Sequence, residues 1–322
     1  MLALGLQGSP RKKGNSDLLL AALMKALEER GARTRTLQVT RQHIEPCKEL
    51  TVCEKKGLCP IKDDMDREVY ALLRRADIVV IASPVFFYNV SAQLKALIDR
   101  CQAFWARKYM LKLRDPGHLV RRGFLLAVGA SSGKQLFDGF HLTAKYFYDA
   151  IDAQYSGSLT FRGVEGRGEI VNHPDMATDV ERAATELMDG LGSRRKVLFA
   201  CRENACRSQM AAAFARWHGG GKLDVQSAGS QPAEAVNPLM VEEMQEKGID
   251  MAFSPPQSFE AADDLEPPDE IVTMGCGQQC PAVPGAKVHE WDLPDPSGRS
   301  IGFMRDVRDR IERQVEAYID DV

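Results

Sequence analysis

A cysteine, five further residues, an arginine and a serine stand between a strand-like run and a helix-like run in the second half of the chain. Cys201 opens this stretch, and Arg207 and Ser208 close it. A mostly apolar run at 196–200 precedes it, and a helical pattern at 209–217 follows it. Free N–H groups at a helix N-terminus bind tetrahedral oxyanions, and a cysteine there is held as a reactive thiolate. An arginine can close over the oxyanion with two hydrogen bonds. The stretch therefore predicts attack by sulfur on a phosphate-like centre.

Apolar strand-like runs alternate with amphipathic helix-like runs along the whole chain. This alternation predicts an α/β fold with two doubly wound domains, each with a parallel sheet. We predict strands near 2–7, 35–39, 78–82, 123–129, 154–161, 197–200, 224–228, 270–273 and 287–290. We predict helices near 16–30, 64–75, 91–105, 136–150 and 177–191, and a long C-terminal helix. Gly, Ser and Arg residues at 189–195 separate the halves, so we place the domains at 1–193 and 194–322.

The composition is that of an ordinary globular chain of 322 residues, with 44% hydrophobic and 27% charged residues. The net charge of −3 and the lack of a long apolar run predict neither a nucleic-acid partner nor a membrane segment. The N-terminus lacks the pattern of a signal peptide, so we expect a cytoplasmic protein. The 8 cysteines are then expected to serve catalysis, redox chemistry or metal binding rather than structural disulfides.

Two loops after predicted strands of the first half could share one crevice, because parallel strands end at the same edge of a sheet. The loop at 8–16 contains small, hydroxyl and basic residues, which predicts a phosphate loop, with an ordinary polar turn as the alternative. The loop at 83–91 carries aromatic residues and an asparagine that could flank a planar ring. One phenylalanine of the pair at 86–87 is expected in the core. Residues 129–133 would form a third wall.

These loops, together with the Asp-Asp-Met at 63–65, resemble the flavodoxin-like NAD(P)H-dependent FMN reductases, in the branch that includes iron–sulfur flavoproteins. The resemblance covers about residues 1–192. It implies noncovalent FMN, NAD(P)H as the electron donor, and a homodimer formed through this domain. The residues that it implies at the FMN phosphate are Ser9, Arg11, Asn15 and Ser16. The residues that it implies near the isoalloxazine ring are Pro84, Val85, Phe86, Tyr88 and Asn89.

One departure from this resemblance concerns three cysteines. In the iron–sulfur branch the motif C-x2-C-x2-C-x5-C holds a cluster, whereas this chain has Cys47, Cys53 and Cys59, with Leu50 at the second position. A [4Fe–4S] cluster usually takes four thiolates, so we expect no iron–sulfur cluster here. The alternatives are a vestigial loop, thiols that relay electrons, and a site for another metal.

The second half resembles the low-molecular-weight protein tyrosine phosphatases, a family that includes thioredoxin-coupled arsenate reductases. The resemblance rests on the loop that opens at Cys201, on the segments 227–230 and 236–238, and on 273–281 followed by 291–296. The last two segments resemble the arsenate-reducing members. A reductase needs spare thiols to carry two electrons away, and Cys276 and Cys280 are the candidates. A zinc half-site and a chance pair of buried cysteines are the alternatives.

The resemblance implies a role for each residue of this site. Cys201 attacks arsenic, Arg207 binds the oxyanion, Ser208 holds the thiolate, and Asp295 protonates the leaving oxygen. A second thiol then releases arsenite, and the final disulfide joins Cys276 and Cys280. Cys206 is expected to be structural, with oxidative protection of Cys201 as an alternative. The backbone of the oxyanion loop is supplied by Glu203, Asn204, Ala205 and Cys206.

The two halves together predict a bifunctional oxidoreductase. We expect the C-terminal domain to reduce arsenate and the flavin domain to supply electrons, since a short linker gives a high effective concentration. A thioredoxin or a small thiol could instead do the reduction. A tyrosine phosphatase fused to a flavin reductase, and a flavin-binding redox sensor, remain as alternatives.

Overall fold

The structure is a computed structural model that describes residues 1–260, 267–275 and 283–322. The chain folds into two compact units. Unit 1 comprises Met1–Lys112 and Val120–Gly192, and unit 2 comprises Leu113–Leu119 and Ser193–Val322. Among the helices of the described residues, none is long and apolar enough to cross a membrane.

Unit 1 is built on a parallel five-stranded sheet with the strand order β2-β1-β3-β4-β5. The strands are β1 (Leu2–Gln7), β2 (Arg33–Gln38), β3 (Ile78–Pro84), β4 (Arg122–Val128) and β5 (Gln154–Phe161). The central strand β3 is apolar and buried from Ile78 to Ser83, as expected for a strand covered on both faces. The chain order reverses between β1 and β3, which is where doubly wound sheets bind ligands.

Helices cover both faces of this sheet. They are α1 (Asn15–Glu28), α2 (Val52–Lys56), α3 (Tyr70–Arg75), α4 (Ala92–Arg100), α5 (Gln102–Tyr109), α6 (Asp138–Ala150) and α7 (Met176–Met188). The helix predicted at 91–105 is broken at Cys101, which has φ −70° and ψ 1°. The break follows Arg100, whose buried guanidinium is tied to Asp63. The helix predicted at 64–75 begins with a π-helical turn at Met65–Val69.

Unit 2 has a parallel four-stranded sheet with the order β7-β6-β8-β9. Its strands are β6 (Arg195–Cys201), β7 (Leu223–Gly229), β8 (Glu270–Thr273) and β9 (Lys287–Glu290). Its helices in the described residues include α8 (Arg207–Gly219), α9 (Pro238–Glu246) and α10 (Ile301–Asp320). The segment Leu113–Leu119 joins this unit through a parallel bridge between Arg114 and Ile249. The predicted fold class, two doubly wound α/β domains with parallel sheets, is confirmed.

Helix α9 was not predicted, although its N-terminus carries a clear signal. The side chain of Asn237 accepts hydrogen bonds from the N–H groups of Leu239 and Met240, and Pro238 occupies the first helical position. An Asn-Pro pair at the start of an apolar periodic run is typical of a capped helix. Its apolar side packs into the core of unit 2 through Met240 and Met244.

Candidate functional site

The loop between β6 and α8 gathers three polar groups around one sulfur atom. Cys201 ends the buried strand β6, and its Sγ lies 2.9 Å from the Oγ of Ser208. The backbone N–H of Asn204 donates to the same sulfur at 3.2 Å. The side-chain amide of Asn204 also donates to the Ser208 Oγ at 2.9 Å. That bond occupies one acceptor position of the hydroxyl, and the hydroxyl proton can in turn be donated to the sulfur.

Asn204 holds the loop in its shape. It is fully buried and has a left-handed backbone with φ 49°, a conformation that costs energy for a residue other than glycine. Its Oδ1 accepts the N–H of Gln257 at 2.9 Å and lies 3.3 Å from the Gln209 Nε2. Both ends of the carboxamide are therefore bonded, which offsets the strain and fixes the amide that serves Cys201.

The carbonyl groups of the loop point away from its centre. The oxygens of Arg202, Glu203 and Ala205 accept hydrogen bonds of 2.8, 2.9 and 2.8 Å from the N–H groups of residues 231, 233 and 237. In a trans peptide the next N–H points opposite to the carbonyl. The N–H groups of residues 203, 204 and 206 are thus turned inward, as the predicted oxyanion loop requires.

Arg207 and Asp295 form the second polar pair of the site. The buried Arg207 donates to the Leu293 carbonyl at 3.2 Å and to Asp295 Oδ2 at 3.0 Å. Partial burial works against the charged form of Asp295, but the Ser297 N–H and the charge of Arg207 outweigh it and lower the pKa of Asp295. Gly275 has φ +76°, and a Cβ there would come 3.1 Å from Arg207 Nη1. The site thus holds a carboxylate and a guanidinium beside the loop.

Cys206 lies apart from this chemistry. Its thiol is buried and contacts the Met304 sulfur at 3.4 Å. Burial, followed by the charge of Cys201, raises the pKa of Cys206 to about 12. It therefore stays a thiol at neutral pH, which agrees with the expected structural role. Cys276 and Cys280 lie outside the described residues.

Unit 1 has a cavity of about 210 Å³ at the carboxyl ends of β1, β3 and β4. All of the residues predicted for FMN line it except Tyr88 and Asn89. Gly129 and Ala130, from the wall predicted at 129–133, line it together with Val128 of β4. Val164, Glu165 and Arg167 form a further wall, which was not predicted from the sequence. A glycine-rich stretch that follows β5 at the same edge of the sheet is the sequence feature that could have indicated this wall.

Asn15 joins the predicted phosphate loop to this further wall. Its Nδ2 donates to the Gly166 carbonyl at 2.9 Å, and its Oδ1 accepts the Ile170 N–H at 3.2 Å. Arg167 in turn donates to the Lys12 carbonyl at 2.6 Å. The carboxamide of Asn15 thus orders the cavity wall, while Ser9 and Arg11 remain the polar side chains of the loop itself.

The aromatic loop after β3 is a two-residue hairpin. Phe86 and Asn89 exchange backbone hydrogen bonds of 2.9 and 3.0 Å, and Phe87 and Tyr88 between them have φ 48° and 61°. Positive φ at both central positions is the type I′ geometry, which is strained for aromatic residues. The expectation that one phenylalanine lies in the core is wrong, because Phe86 is 47% and Phe87 102% exposed. The Asn89 Oδ1 holds the turn by accepting the Val90 N–H at 2.8 Å.

The fit of an iron–sulfur cluster can be tested on the loop that carries Cys47, Cys53 and Cys59. Cys47 is exposed, and the other two thiols are partly buried. Leu50, at the position of a fourth ligand, is apolar and 50% exposed. The three thiols and a leucine do not fit the four-thiolate set of the iron–sulfur branch.

Comparisons with known proteins match the two halves separately. Residues 1–147 match the NADPH-dependent FMN reductase family, and residues 196–322 match the low molecular weight phosphotyrosine protein phosphatase family. An iron–sulfur flavoprotein of Methanosarcina thermophila is 38% identical over 127 residues, which are 39% of this chain and 62% of the relative. The chain thus spans about three fifths of the length of that relative.

The second half has relatives that it covers almost completely. A glutaredoxin arsenate reductase of Synechocystis sp. is 37% identical over 131 residues, which are 39% of this chain and 96% of the relative. A solved arsenate reductase in a phosphate-binding state is 34% identical over 40% of this chain and 98% of its own, with a TM-score of 0.35. The chain therefore belongs, through residues 196–322, to the low molecular weight phosphotyrosine protein phosphatase family, with arsenate reductases among its relatives, and its residues 1–147 are similar to the NADPH-dependent FMN reductase family.

Proposed function

We propose that residues 194–322 form an arsenate reductase and that residues 1–193 form an NAD(P)H-dependent FMN domain that supplies its electrons. The observation that carries the proposal is the hydrogen-bonded set of Ser208, Asn204 and the Cys201 sulfur. It prepares a thiolate at the floor of a loop whose N–H groups point inward. The relatives named arsenate reductases, which this half covers almost completely, favour arsenate as the oxyanion.

The first step forms a sulfur–arsenic bond. Arsenate binds with its oxygens on the inward N–H groups and Arg207, and the Cys201 thiolate attacks arsenic. Asp295 gives a proton to the departing oxygen, which leaves as water. The lowered pKa of Asp295 means that it must first gain this proton. An anionic substrate next to it favours that protonated form.

The second step reduces arsenic. Another thiol attacks the Cys201 sulfur, so that a sulfur–sulfur bond forms and the sulfur–arsenic bond breaks. The electron pair of the broken bond stays on arsenic, which leaves as arsenite. Further thiol exchange moves the disulfide to Cys276 and Cys280, where two electrons restore the dithiol.

The cavity of unit 1 is the proposed binding site for FMN. Ser9 and Arg11 would hold its phosphate, and Phe86 and the wall at 128–130 would flank the ring. When bound, FMN accepts a hydride from NAD(P)H and passes electrons on. Asn15 orders the wall that closes the phosphate end. We propose a homodimer through this domain and a cytoplasmic location.

A phosphatase is the second candidate, because Cys201, Arg207 and Asp295 would suffice to hydrolyse a phosphate ester. The deciding experiment measures NADPH oxidation by the purified, FMN-loaded chain with arsenate, with and without thioredoxin. We expect arsenate-dependent oxidation that is lost in Cys276→Ser and in Cys280→Ser. Cys101→Ala, which removes a fully buried thiol of unit 1, is the matched control and should keep the rate.

Three results would change this assignment. Phosphate release that is indifferent to both serine variants would make the chain a phosphatase. Arsenite formation that requires added thioredoxin, with no oxidation of the NADPH-reduced flavin by arsenate, would separate the two domains functionally. NADPH oxidation at the same rate with and without arsenate would mean that the flavin domain does not pass electrons to the second domain.

A further inference from the structure

The loop that carries three cysteines in unit 1 is closed at its base by one buried guanidinium. Arg100 is 1% exposed, and it donates to the Glu45 carbonyl at 2.9 Å and to the Ile61 carbonyl at 3.3 Å. Its charge is balanced by Asp63, at 2.5 Å. The N–H of Glu45 donates to the same carboxylate at 2.9 Å. Arg100 and Asp63 therefore hold together the two ends of residues 45–61, a segment here called the cysteine loop.

The three thiols lie within this closed loop. Cys53 is in the first turn of α2, and Cys59 follows the left-handed Gly57 that ends α2. Cys47, Cys53 and Cys59 follow one another at intervals of six positions, so the three thiols lie on one short stretch of the closed loop. In the described part of the chain they do not converge to within 4.8 Å as a set. A ligand would therefore have to draw them together.

Two buried arginines, Arg100 and Arg107, donate hydrogen bonds to backbone carbonyls of the cysteine loop. Arg107 donates to the Gly57 carbonyl at 3.3 Å, and a Cβ on Gly57 would overlap its side chain. Among the described residues, the Nε of Arg100 has no hydrogen-bond partner. A buried donor without a partner is costly, and this one belongs to the side chain that closes the base of the cysteine loop.

We propose that Cys47, Cys53 and Cys59 form a binding site for trivalent arsenic, the product of the proposed reductase. Arsenite, As(OH)₃, would exchange its three oxygens for three sulfurs. Three As–S bonds form, three As–O bonds break, and the three thiol protons leave with the oxygens as three waters. No electrons move. This proposal rests on the proposed function for the source of arsenite, but the binding chemistry does not depend on it.

The ligand set selects this ion over the alternatives. Thiolates prefer soft ions, and trivalent arsenic completes its coordination with three of them and a lone pair. Zinc and a [4Fe–4S] cluster normally take four ligands. Leu50, where the fourth thiol would stand, supplies none and is 50% exposed. A three-thiol loop in the same chain as an arsenate-reducing site would hold the toxic product after its release.

The test uses the full-length reduced chain with Cys276→Ser and Cys280→Ser, so that the second dithiol cannot compete. Equilibrium dialysis with arsenite and X-ray absorption at the arsenic edge measure affinity and the number of sulfur ligands. We expect one arsenic per chain with three sulfur neighbours. Cys47→Ser, Cys53→Ser and Cys59→Ser should each weaken binding at least tenfold. Phenylarsine oxide, which needs only two thiols, should still bind each of these variants. The control, Cys101→Ala, should bind arsenite like the parent.

Three outcomes would overturn the proposal. The first is arsenite binding that none of the three serine variants affects. The second is arsenic with only two sulfur neighbours. The third is a visible iron–sulfur cluster after anaerobic reconstitution with iron and sulfide, present in the parent and lost in Cys53→Ser. Leu50→Cys is the positive control for that reconstitution, because it restores the fourth thiol. None of these measurements uses arsenate turnover, so the binding site and the proposed reductase can fail separately.

Discussion

At the residue scale, the chemistry of the oxyanion loop depends on a chain of hydrogen bonds from Asn204 through Ser208 to Cys201. The amide of Asn204 donates to Ser208, and the hydroxyl is then free to donate to the sulfur. This order of donors explains why a serine follows Arg207 and why a buried asparagine occupies a strained position.

Ser208→Ala should slow both arsenate reduction and alkylation of Cys201. The change removes a hydrogen bond to a charged atom, worth about 1.5–3 kcal/mol, or about 10- to 100-fold. The measurement is the rate of iodoacetamide labelling of Cys201 at pH 7, alongside arsenate turnover. Ser230→Ala is the matched control, because the Ser230 Oγ is buried without a partner in the described residues. Equal labelling rates in both variants would show that Ser208 does not stabilise the thiolate.

Asp295→Asn should lower kcat about 100-fold or more and change KM less, because an amide cannot deliver the proton that the departing oxygen needs. In the free protein Asp295 is charged at neutral pH, since its pKa is lowered. Steady-state kinetics with arsenate would measure kcat and KM separately. A loss confined to KM would instead mean that Asp295 only positions Arg207.

At the element scale, the sites are made where segments from different elements approach each other closely. Gly229 ends β7, and a Cβ on it would lie 2.6 Å from the Arg202 carbonyl oxygen and 2.8 Å from the Asn204 nitrogen. Asn15, at the start of α1, ties the loop after β5 to the loop after β1. In both cases a residue outside the reacting set determines the shape of the site.

Gly229→Ala should distort the oxyanion loop. Overpacking against backbone costs about 1–3 kcal/mol, and arsenate turnover should fall with it. Gly221→Ala is the control, because a Cβ at Gly221 meets nothing within 4 Å. Thermal unfolding and turnover of the two variants give the comparison. Full activity in Gly229→Ala would mean that the loop can move away without loss.

Asn15→Ala should weaken FMN binding by up to about thirtyfold, because two hydrogen bonds that order the wall at 164–170 are lost, each worth about 1 kcal/mol. Fluorescence titration of the apoprotein with FMN measures this. Asn172→Ala, an exposed asparagine of the same region, should bind FMN normally. Unchanged affinity in Asn15→Ala would show that the wall does not need this side chain.

At the scale of the whole molecule, the two compact units do not follow one cut in the sequence. Unit 2 includes Leu113–Leu119, which lies far from Ser193–Val322 in the chain. Within unit 2, the N–H of Arg114 donates to the Gly248 carbonyl at 2.9 Å, and its carbonyl accepts the Asp250 N–H at 2.8 Å. A fragment that begins at residue 194 would lack these bonds.

Arg114→Pro should therefore lower the unfolding temperature of unit 2 in the full chain. Proline removes the N–H that Gly248 accepts, at a cost of about 1–3 kcal/mol for a hydrogen-bonded backbone position. Arg114→Ala keeps that N–H and is the control for the side chain. Differential scanning calorimetry and tryptophan fluorescence would each measure the shift in unfolding temperature. Equal shifts in both variants would show that the backbone bridge contributes nothing.

Local patterns in the sequence predicted most of the elements, because strands buried on both faces are continuous apolar runs. The predicted strands at 2–7 and 270–273 coincide with the buried β1 and β8, and those at 154–161 and 287–290 coincide with β5 and β9, which are only partly buried. The break at Cys101 was not predicted; it stands next to Arg100, which binds Asp63 from 37 positions away. The wall at 164–167 lies in the glycine-rich stretch after β5, and it was not predicted because its residues have no aromatic or hydroxyl pattern typical of a flavin site.

The sequence alone determined the fold class and the chemical type of the oxyanion loop, because both follow from residue types at short range. Only the tertiary structure decided which groups meet. The donor order from Asn204 to Cys201, the pairing of Arg207 with Asp295 and the base of the cysteine loop join residues that are separated by between 3 and 88 positions. The reason is physical: spacing along the chain limits local conformation, whereas hydrogen bonds between distant segments form only after the sheets and helices have packed.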